Sequence, residues 1–519
     1  MLKRYLKNFV VEKIMESGNQ PQRPKAPVAP DLNRVMDALR QRFGSTGDLV
    51  LRKILAGNGT IPVLVVYLEN MADPKTINES IIAKLQEAPV ALLANSKILA
   101  HAVLPVSKVV LTGDLVKAVD GILYGKTAIF LSGSDRAIVA ETSGWEKRSI
   151  QPPETETNIQ GPQEGFVEAI SVNITQIRRR IRDSQLRFDN LHLGTRTNTA
   201  LSVAYIEGLA DPGIVAEVKK RVQAIRIDGI QSAQSVMEFI KDQRLTPFST
   251  LLKTERPAKV VACLLEGRVA IFVDGTPFVI VAPVTFAMML QEGDDYYFSF
   301  YFGSFLRWLT LFAFTATLVL PSLYTAITTH HWEMMPTPLA LSIAGSREGV
   351  PFPLLVEVLA MELTFELLRE AGVRLPKAVG PAVSIAGALV IGQAAVQAGL
   401  ISPVVVVLVA FTGIASFAIP SYDATLAFRL LRFPLIILSF AIGILGLVAG
   451  LIVIWAHMAS LTSFGVPYLA PFTPVQVKDL KDTLFRVPTW AMVTRPQTIP
   501  SLDPDRLGKV QSHQEEDER

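Results

Sequence analysis

The stretch FLRWLTLFAFTATLVLPSLYTAI, residues 305–327, decides how this chain is read. It holds about twenty mostly apolar residues, enough for an α-helix to cross the hydrocarbon of a bilayer. Further runs follow at Val379–Leu400, Ile401–Pro420 and Phe433–Met458. They carry small residues, among them Gly380, Gly387, Gly392, Gly413, Gly443, Gly446 and Gly450. Small residues let membrane helices approach closely. Upstream of Phe305 charged and apolar residues mix as in a globular protein. The mean hydropathy of +0.34 therefore comes from the last two-fifths of the chain.

The segment Pro351–Gly372 has a helical pattern but carries Glu357, Glu362, Glu366 and Glu370. At 100° per residue Glu362, Glu366 and Glu370 share one stripe, with Arg369 beside it and Glu357 off it. Carboxylates at membrane depth are costly and face a bundle interior or a watery path. One reading makes the stripe a candidate ion pathway, where rings of acidic groups concentrate cations. The other makes the glutamates structural, paired with Arg347, Arg369, Arg374 or Arg432.

Basic residues at Arg374 and Lys377, and at Arg429 and Arg432, are both cytoplasmic only if Pro351–Gly372 crosses, which gives five spans. A sixth pass or re-entrant turn through Leu461–Pro471 returns a tail basic up to Lys509 to the same side. The N-terminus, MLKRYLKNFVVEKIMESGNQ, lacks an apolar h-region and a cleavage site, so the first 300 residues are expected on the cytoplasmic side.

The front of the chain contains a duplication. VVYLENMADPKTINESIIAKLQ (65–86) is matched by VAYIEGLADPGIVAEVKKRVQ (203–223), each a strand, a turn and a helix. Asp73 and Asp211 fall at the N-cap, with Pro74 and Pro212 at the first helical position. GKTAIFLSGSDRAIVA from Gly125 is matched by GRVAIFVDGTPFVIVA from Gly267, each a β-hairpin. The expected fold is thus an α/β soluble N-terminal region of two related subdomains, followed by an α-helical polytopic membrane domain of about five to six spans. The divisions are 1–30 (flexible segment), 31–150 and 151–292 (the two α/β subdomains), 293–475 (transmembrane domain) and 476–519 (cytoplasmic tail).

The formal net charge of +3 gives no case for a nucleic-acid partner, and the single Cys263 allows no intrachain disulfide. Neither a phosphate-binding GxxxxGK[ST] loop nor a GxSxG nucleophile motif is present, and six scattered histidines build no catalytic constellation. His330, His331 and Glu333 are close, but adjacent histidines point to different sides of a helix or strand. No enzyme, cofactor or metal is expected. Arg178, Arg179, Arg180 and Arg182 cluster on a predicted helix, as a solvated face or as a contact for anionic lipid or an acidic partner.

These residues carry a family resemblance. REGVPFPLLVEVLAMELTFELLREAGVRLPKAVGPAVSIAGALVIGQAAVQ (347–397) resembles the signature of the spore germination receptor A subunit, the GerA family. GPQEGF (161–166), IRRRI (177–181), TERP (254–257), DDYY (294–297) and SFGVPY (463–468) match as well, so the resemblance runs over residues 31–500. It implies an integral protein of the spore inner membrane, partnered by a transporter-like B subunit and a lipoprotein C subunit. It also implies membrane-lipid contact and a homo-oligomer that forms a nutrient-gated ion channel. The candidate residues are then Glu362, Glu366 and Glu370 for the pathway, and Gly380, Gly387 and Gly392 for helix packing. Arg178, Arg179, Arg180 and Arg182 are those for lipid or partner contact. A secondary transporter of a small solute and a membrane-anchored scaffold are the alternatives.

Overall fold

In a computed structural model, residues 26–93, 96–144, 152–153, 156, 160–374 and 390–506 are described. Their contacts divide the chain into two compact units. One comprises the N-terminal region up to Lys241, Leu251–Pro283 and the segment from Pro488. The other comprises Asp242–Thr250 and Val284–Val487.

The first unit contains the same sheet twice. After helix α1 (Leu32–Phe43), strands β1 (Leu49–Ala56), β2 (Ile61–Leu68), β3 (Val109–Thr112), β4 (Thr127–Leu131) and β5 (Ala137–Ala140) form an antiparallel sheet of order β1-β2-β4-β5-β3. Helix α2 (Leu115–Leu123) joins β3 to β4. After α3 (Ile170–Arg180), strands β6 (Leu186–Leu193), β7 (Thr199–Ile206), β8 (Leu252–Thr254), β9 (Val269–Val273) and β10 (Val279–Ala282) repeat that order as β6-β7-β9-β10-β8. Helices α4 (Pro212–Gln223) and α5 (Pro257–Leu265) accompany them. The repeated sequence is therefore a repeated topology.

Both faces of the first sheet are covered. Successive residues on a strand point to opposite faces. Leu64, Val66, Ala128, Phe130 and Val139 accordingly pack with Leu39, Phe43 and Ile122 on one side. Val63, Val65, Ile129 and Ile138 pack with Ile77, Ile81 and Leu85 on the other. A strand buried on both faces reads as an unbroken apolar run, as IPVLVVYL does.

Both expected N-caps form. Asp73 accepts from Lys75 N and Thr76 N, each at 3.1 Å, and Asp211 accepts from Gly213 N at 2.7 Å and Ile214 N at 3.1 Å. The Thr76 hydroxyl, followed by the two backbone bonds and the Lys75 charge, outweighs burial and holds the Asp73 carboxyl below its ordinary value. A depressed carboxylate pKa stabilises above the unfolded value of about 3.9 and loses that contribution as pH falls through the folded value. Replacing Asp73 by alanine should cost about 1 kcal/mol in a denaturant titration at neutral pH, with a smaller difference in acid.

The second unit is helical. Its elements are α6 (Phe300–His330), α7 (Thr337–Arg347), α8 (Leu354–Arg374), α9 (Pro403–Phe417), α10 (Tyr422–Ile442) and α11 (Ile444–Ser460). Two of these, α6 and α10, are long and apolar enough to cross a membrane, and α9 and α11 are shorter apolar helices. At about 1.5 Å per residue the 31 residues of α6 extend roughly 46 Å. Phe286, Phe314, Phe428, Leu435, Leu447 and Tyr468 form the aromatic-rich core of this unit.

Four expectations change. Phe433–Met458 is not one span. Gly443, at φ +69°, ends α10 and starts α11, which folds back so that Gly446 and Gly450 lie against Leu435 and Leu438. Only glycine takes that backbone turn without strain. Arg429 and Arg432 lie inside α10 and are buried, so they are not loop charges and do not bear on topology. Leu461–Pro471 is no sixth pass. It contains a short hairpin, Thr462–Ser463 against Val466–Pro467, turning at Phe464 and Gly465. Finally, residues 488–506 are more than a tail: Leu502 N donates to Leu209 O at 3.0 Å and Arg495 Nε to Leu265 O at 2.9 Å. Half of the expected span Val379–Leu400, residues 379–389, lies outside the described residues.

Candidate functional site

The acidic stripe of α8 meets a basic stripe on α10. Arg429 and Arg432 stand three residues apart and so share a face. Arg432 Nη2 is 2.8 Å from Glu362 Oε2, and Arg429 Nε donates to Glu366 Oε2 at 3.0 Å. As the glutamate number rises the arginine number falls, so the two helices run antiparallel along the ladder. The first rung is sealed, with Glu362 at 0% and Arg432 at 2% side-chain exposure, whereas Glu366 is at 27%. Glu370 pairs with Arg374 of its own helix at 2.7 Å and is open to solvent. The stripe therefore grades from interior to exterior over two turns.

The sealed rung is imperfectly satisfied. The Glu362–Arg432 approach is too oblique for a good hydrogen bond. Neither Glu362 oxygen nor Arg432 Nε has a hydrogen-bond partner among the described residues. Desolvating two charges costs several kcal/mol each, which Coulomb attraction repays only with good geometry. Such a pair is weak as a source of stability.

Neighbouring contacts fix α8. Glu357, off the stripe, accepts from Ser402 N at 2.6 Å at the start of α9, and Arg347 Nε lies 3.4 Å from its other oxygen. Arg369 donates to Ser416 Oγ at 2.9 Å and lies over the Phe417 ring. The Phe365 ring sits where a side chain on Gly413 would begin, 2.2 Å from an ideal Cβ. A Cβ on Gly446 would stand 2.1 Å from Leu438 O. Replacing Gly446 by valine should therefore open the α10–α11 hairpin, at an overpacking cost of about 1–3 kcal/mol or more. A marked loss of detergent-stable protein checks it. Of the named packing glycines, Gly392 meets only the tip of Val406, at 3.3 Å, and Gly380 and Gly387 lie outside the described residues.

The basic cluster on α3 does not act as one surface. Arg178 is 1% exposed and forms a two-pronged pair with Asp48, Nε–Oδ2 at 2.7 Å and Nη2–Oδ1 at 2.8 Å. Thr46 Oγ1 accepts from Arg178 at 3.1 Å and donates to Asp48 at 2.6 Å. This lock joins the two α/β halves, and burial removes Arg178 from any lipid-facing role. Arg180 pairs with Glu164 at 2.6 Å, and Arg182 lies over the Tyr124 ring at 4.1 Å. Arg179 also has a partner. In the helical unit His330 meets the Phe440 carbonyl oxygen at 2.7 Å. Two partners were not anticipated from sequence: Asp48 for Arg178, and Arg429 for Glu366. The signal for the second was there, since arginines three apart in an apolar helix need acids opposite.

The sequence matches the model of the Bacillus/Clostridium GerA spore germination protein family over residues 37–498, and the chain belongs to that family. It is 43% identical over 486 residues to spore germination protein KA of Bacillus subtilis (strain 168), covering 93% of this chain and 89% of that protein. It is 38% identical over 479 residues to spore germination protein GerLA of Bacillus cereus, covering 91% and 96%. A third relative, at 39% over 472 residues, is the uncharacterized membrane protein YfkQ of Bacillus subtilis (strain 168), with 91% and 92% covered. Among solved structures, the N-terminal domain of the A subunit of the Bacillus megaterium spore germinant receptor GerK3 matches at 27% identity and a TM-score of 0.40. That match covers 51% of this chain and 99% of that one.

Proposed function

We propose that this chain is the A subunit of a nutrient-responsive spore germination receptor. Its place is the spore inner membrane, with the α/β region on the cytoplasmic side and receptor B and C subunits as partners. Family membership over residues 37–498 carries this reading. In it, α6, α8, α9, α10 and α11 are five passes. Copies of the chain assemble about an axis into a ligand-gated ion channel, since a pore between subunits needs a closed ring.

The ladder between α8 and α10 is the observation that supports a gate. In the resting state Glu362 and Glu366 are held by Arg432 and Arg429. Separation of the helices frees the two carboxylates to face a cation path, and reclosure removes them again. Neutralising both, Glu362→Gln with Glu366→Gln, should cut cation release from germinant-treated spores roughly tenfold or more per molecule of folded protein, with less folded protein as well because Arg432 is left buried without a counter-charge. The estimate treats the two carboxylates as contributing at least about 1.4 kcal/mol to ion passage. Unchanged release per molecule of folded protein would sink the pathway role.

A further inference from the structure

The two α/β halves make one contact in the same way but with segments of different origin. The matched turns are MADP (71–74) and LADP (209–212). In the first half Ala72 bridges Ser143, where Gly144 N donates to Met71 O at 3.2 Å and Asp73 N to Thr142 O at 2.8 Å. In the second half Ala210 bridges Ser501, where Leu502 N donates to Leu209 O at 3.0 Å. Alanine and serine meet at the same place in both. Ser143, however, follows directly on β5, which ends at Ala140, whereas Ser501 comes from the far end of the chain.

The reason lies just past β10. Because VIVA (279–282) matches AIVA (137–140), the counterparts of Thr142–Gly144 are Val284–Phe286. Those residues are committed inside the helical unit: Val284 N donates to Ser463 Oγ at 3.0 Å and Phe286 N to Tyr468 O at 2.7 Å. The Leu209–Ala210 turn therefore needs another partner for its backbone groups. Residues 493–506 supply it. They also close on themselves, Arg495 N donating to Pro504 O and Arg506 N to Val493 O, each at 2.8 Å. Arg495 Nε holds Leu265 O, and Ile499 is buried.

We infer that the Leu209–Ala210 turn is a docking site for a detachable segment, and that residues 493–506 leave it and rebind as the receptor switches. The docking stands on these contacts alone, while its trigger rests on the receptor reading above. Two physical differences separate this contact from its first-half counterpart. Ser143 is tied to β5 by a short closure that favours reclosing, whereas Ser501 is brought back only by closing a much longer stretch of chain. A segment whose own backbone bonds are internal also leaves as one piece, without stranding those donors. Units of this kind open at a free energy well below that of global unfolding.

Hydrogen exchange in the full-length protein tests the docking. Residues 493–506 should exchange about tenfold faster than the matched stretch 137–144. Equal protection overturns the inference, whatever the protein's function. Paired cysteines test the trigger: Ala210→Cys with Ser501→Cys is the probe, and Ala72→Cys with Ser143→Cys is the control. Antiparallel bridge partners stand about 4.5–5.5 Å apart at Cα, within disulfide reach. Burial pushes the Cys263 thiol up to about 12, which keeps it from competing. Oxidation should cut germinant-triggered cation release from spores carrying the probe pair about tenfold, and reductant should restore it. The control pair should release normally in both states. Release that survives the probe disulfide, or a control disulfide that blocks release equally, overturns the inference. If spores carrying the parent chain release no cations, the receptor reading is contradicted instead, and hydrogen exchange still decides the docking.

Discussion

Replacing Arg432 by alanine should strip the membrane of most of this protein. Arg432 is, with Arg178, among the largest fully buried side chains of the described residues, and its loss leaves the Glu362 carboxylate sealed without a counter-charge. Breaking one side of a buried pair costs about 3–5 kcal/mol, because the survivor must be carried uncompensated. Removing both charges behaves differently. The double variant Glu362→Leu with Arg432→Met keeps the volume and has no charge to desolvate, so folded protein should return to near the normal level. The measurement is the amount of monodisperse, detergent-extracted protein for each variant. If the double variant folds but spores carrying it fail to release cations, the pair serves gating. If it folds and release is normal, the pair is only a structural relic. If the single variant is as abundant as the parent, Arg432 is not buried as described.

The second large effect lies in the soluble region. Asp48→Ala should lower the melting temperature of the α/β unit by roughly 6–20 °C. The same cost of about 3–5 kcal/mol applies, and each kcal/mol shifts a domain of 150–250 residues by about 2–4 °C. Arg178 then keeps Thr46 Oγ1 at 3.1 Å and the Asp183 carbonyl at 3.3 Å. Arg182→Ala, which removes an exposed guanidinium from the face of Tyr124, should cost about 1 kcal/mol or less. Differential scanning of the two variants in the full-length protein gives the contrast. Equal shifts would mean that the Arg178–Asp48 lock does not hold the two halves together.

The duplication was legible because its signals are local. An aspartate-proline pair at a helix start and a glycine turn between two apolar strands require no distant partner. Asp73, Asp211 and both hairpins therefore form where the sequence places them. The sheet order was not legible, since it depends on β2 meeting β4 and β3 meeting β5 across intervening elements. In the helical unit, apolar runs announce helices but not where one ends. Phe433–Met458 reads as a single span because only Gly443, one residue among many small ones, turns the backbone. The same limit applied to charge. Arg429 and Arg432 look like loop residues by type, and only the opposing stripe of Glu362 and Glu366 makes them helix-interior residues. The acidic stripe itself was visible from its four-residue spacing, while its partners required two helices to be brought together.

In the proposed function the assembled receptor conducts ions and is gated at the α8–α10 ladder. The most direct test reconstitutes the purified protein with the proposed B and C subunits in proteoliposomes and measures subunit stoichiometry and germinant-triggered cation flux on the same sample. The account predicts a closed oligomer whose flux is lost in the Glu362→Gln, Glu366→Gln variant. A monomer that moves solute but no ions, or an oligomer whose flux is untouched by that variant, would contradict it.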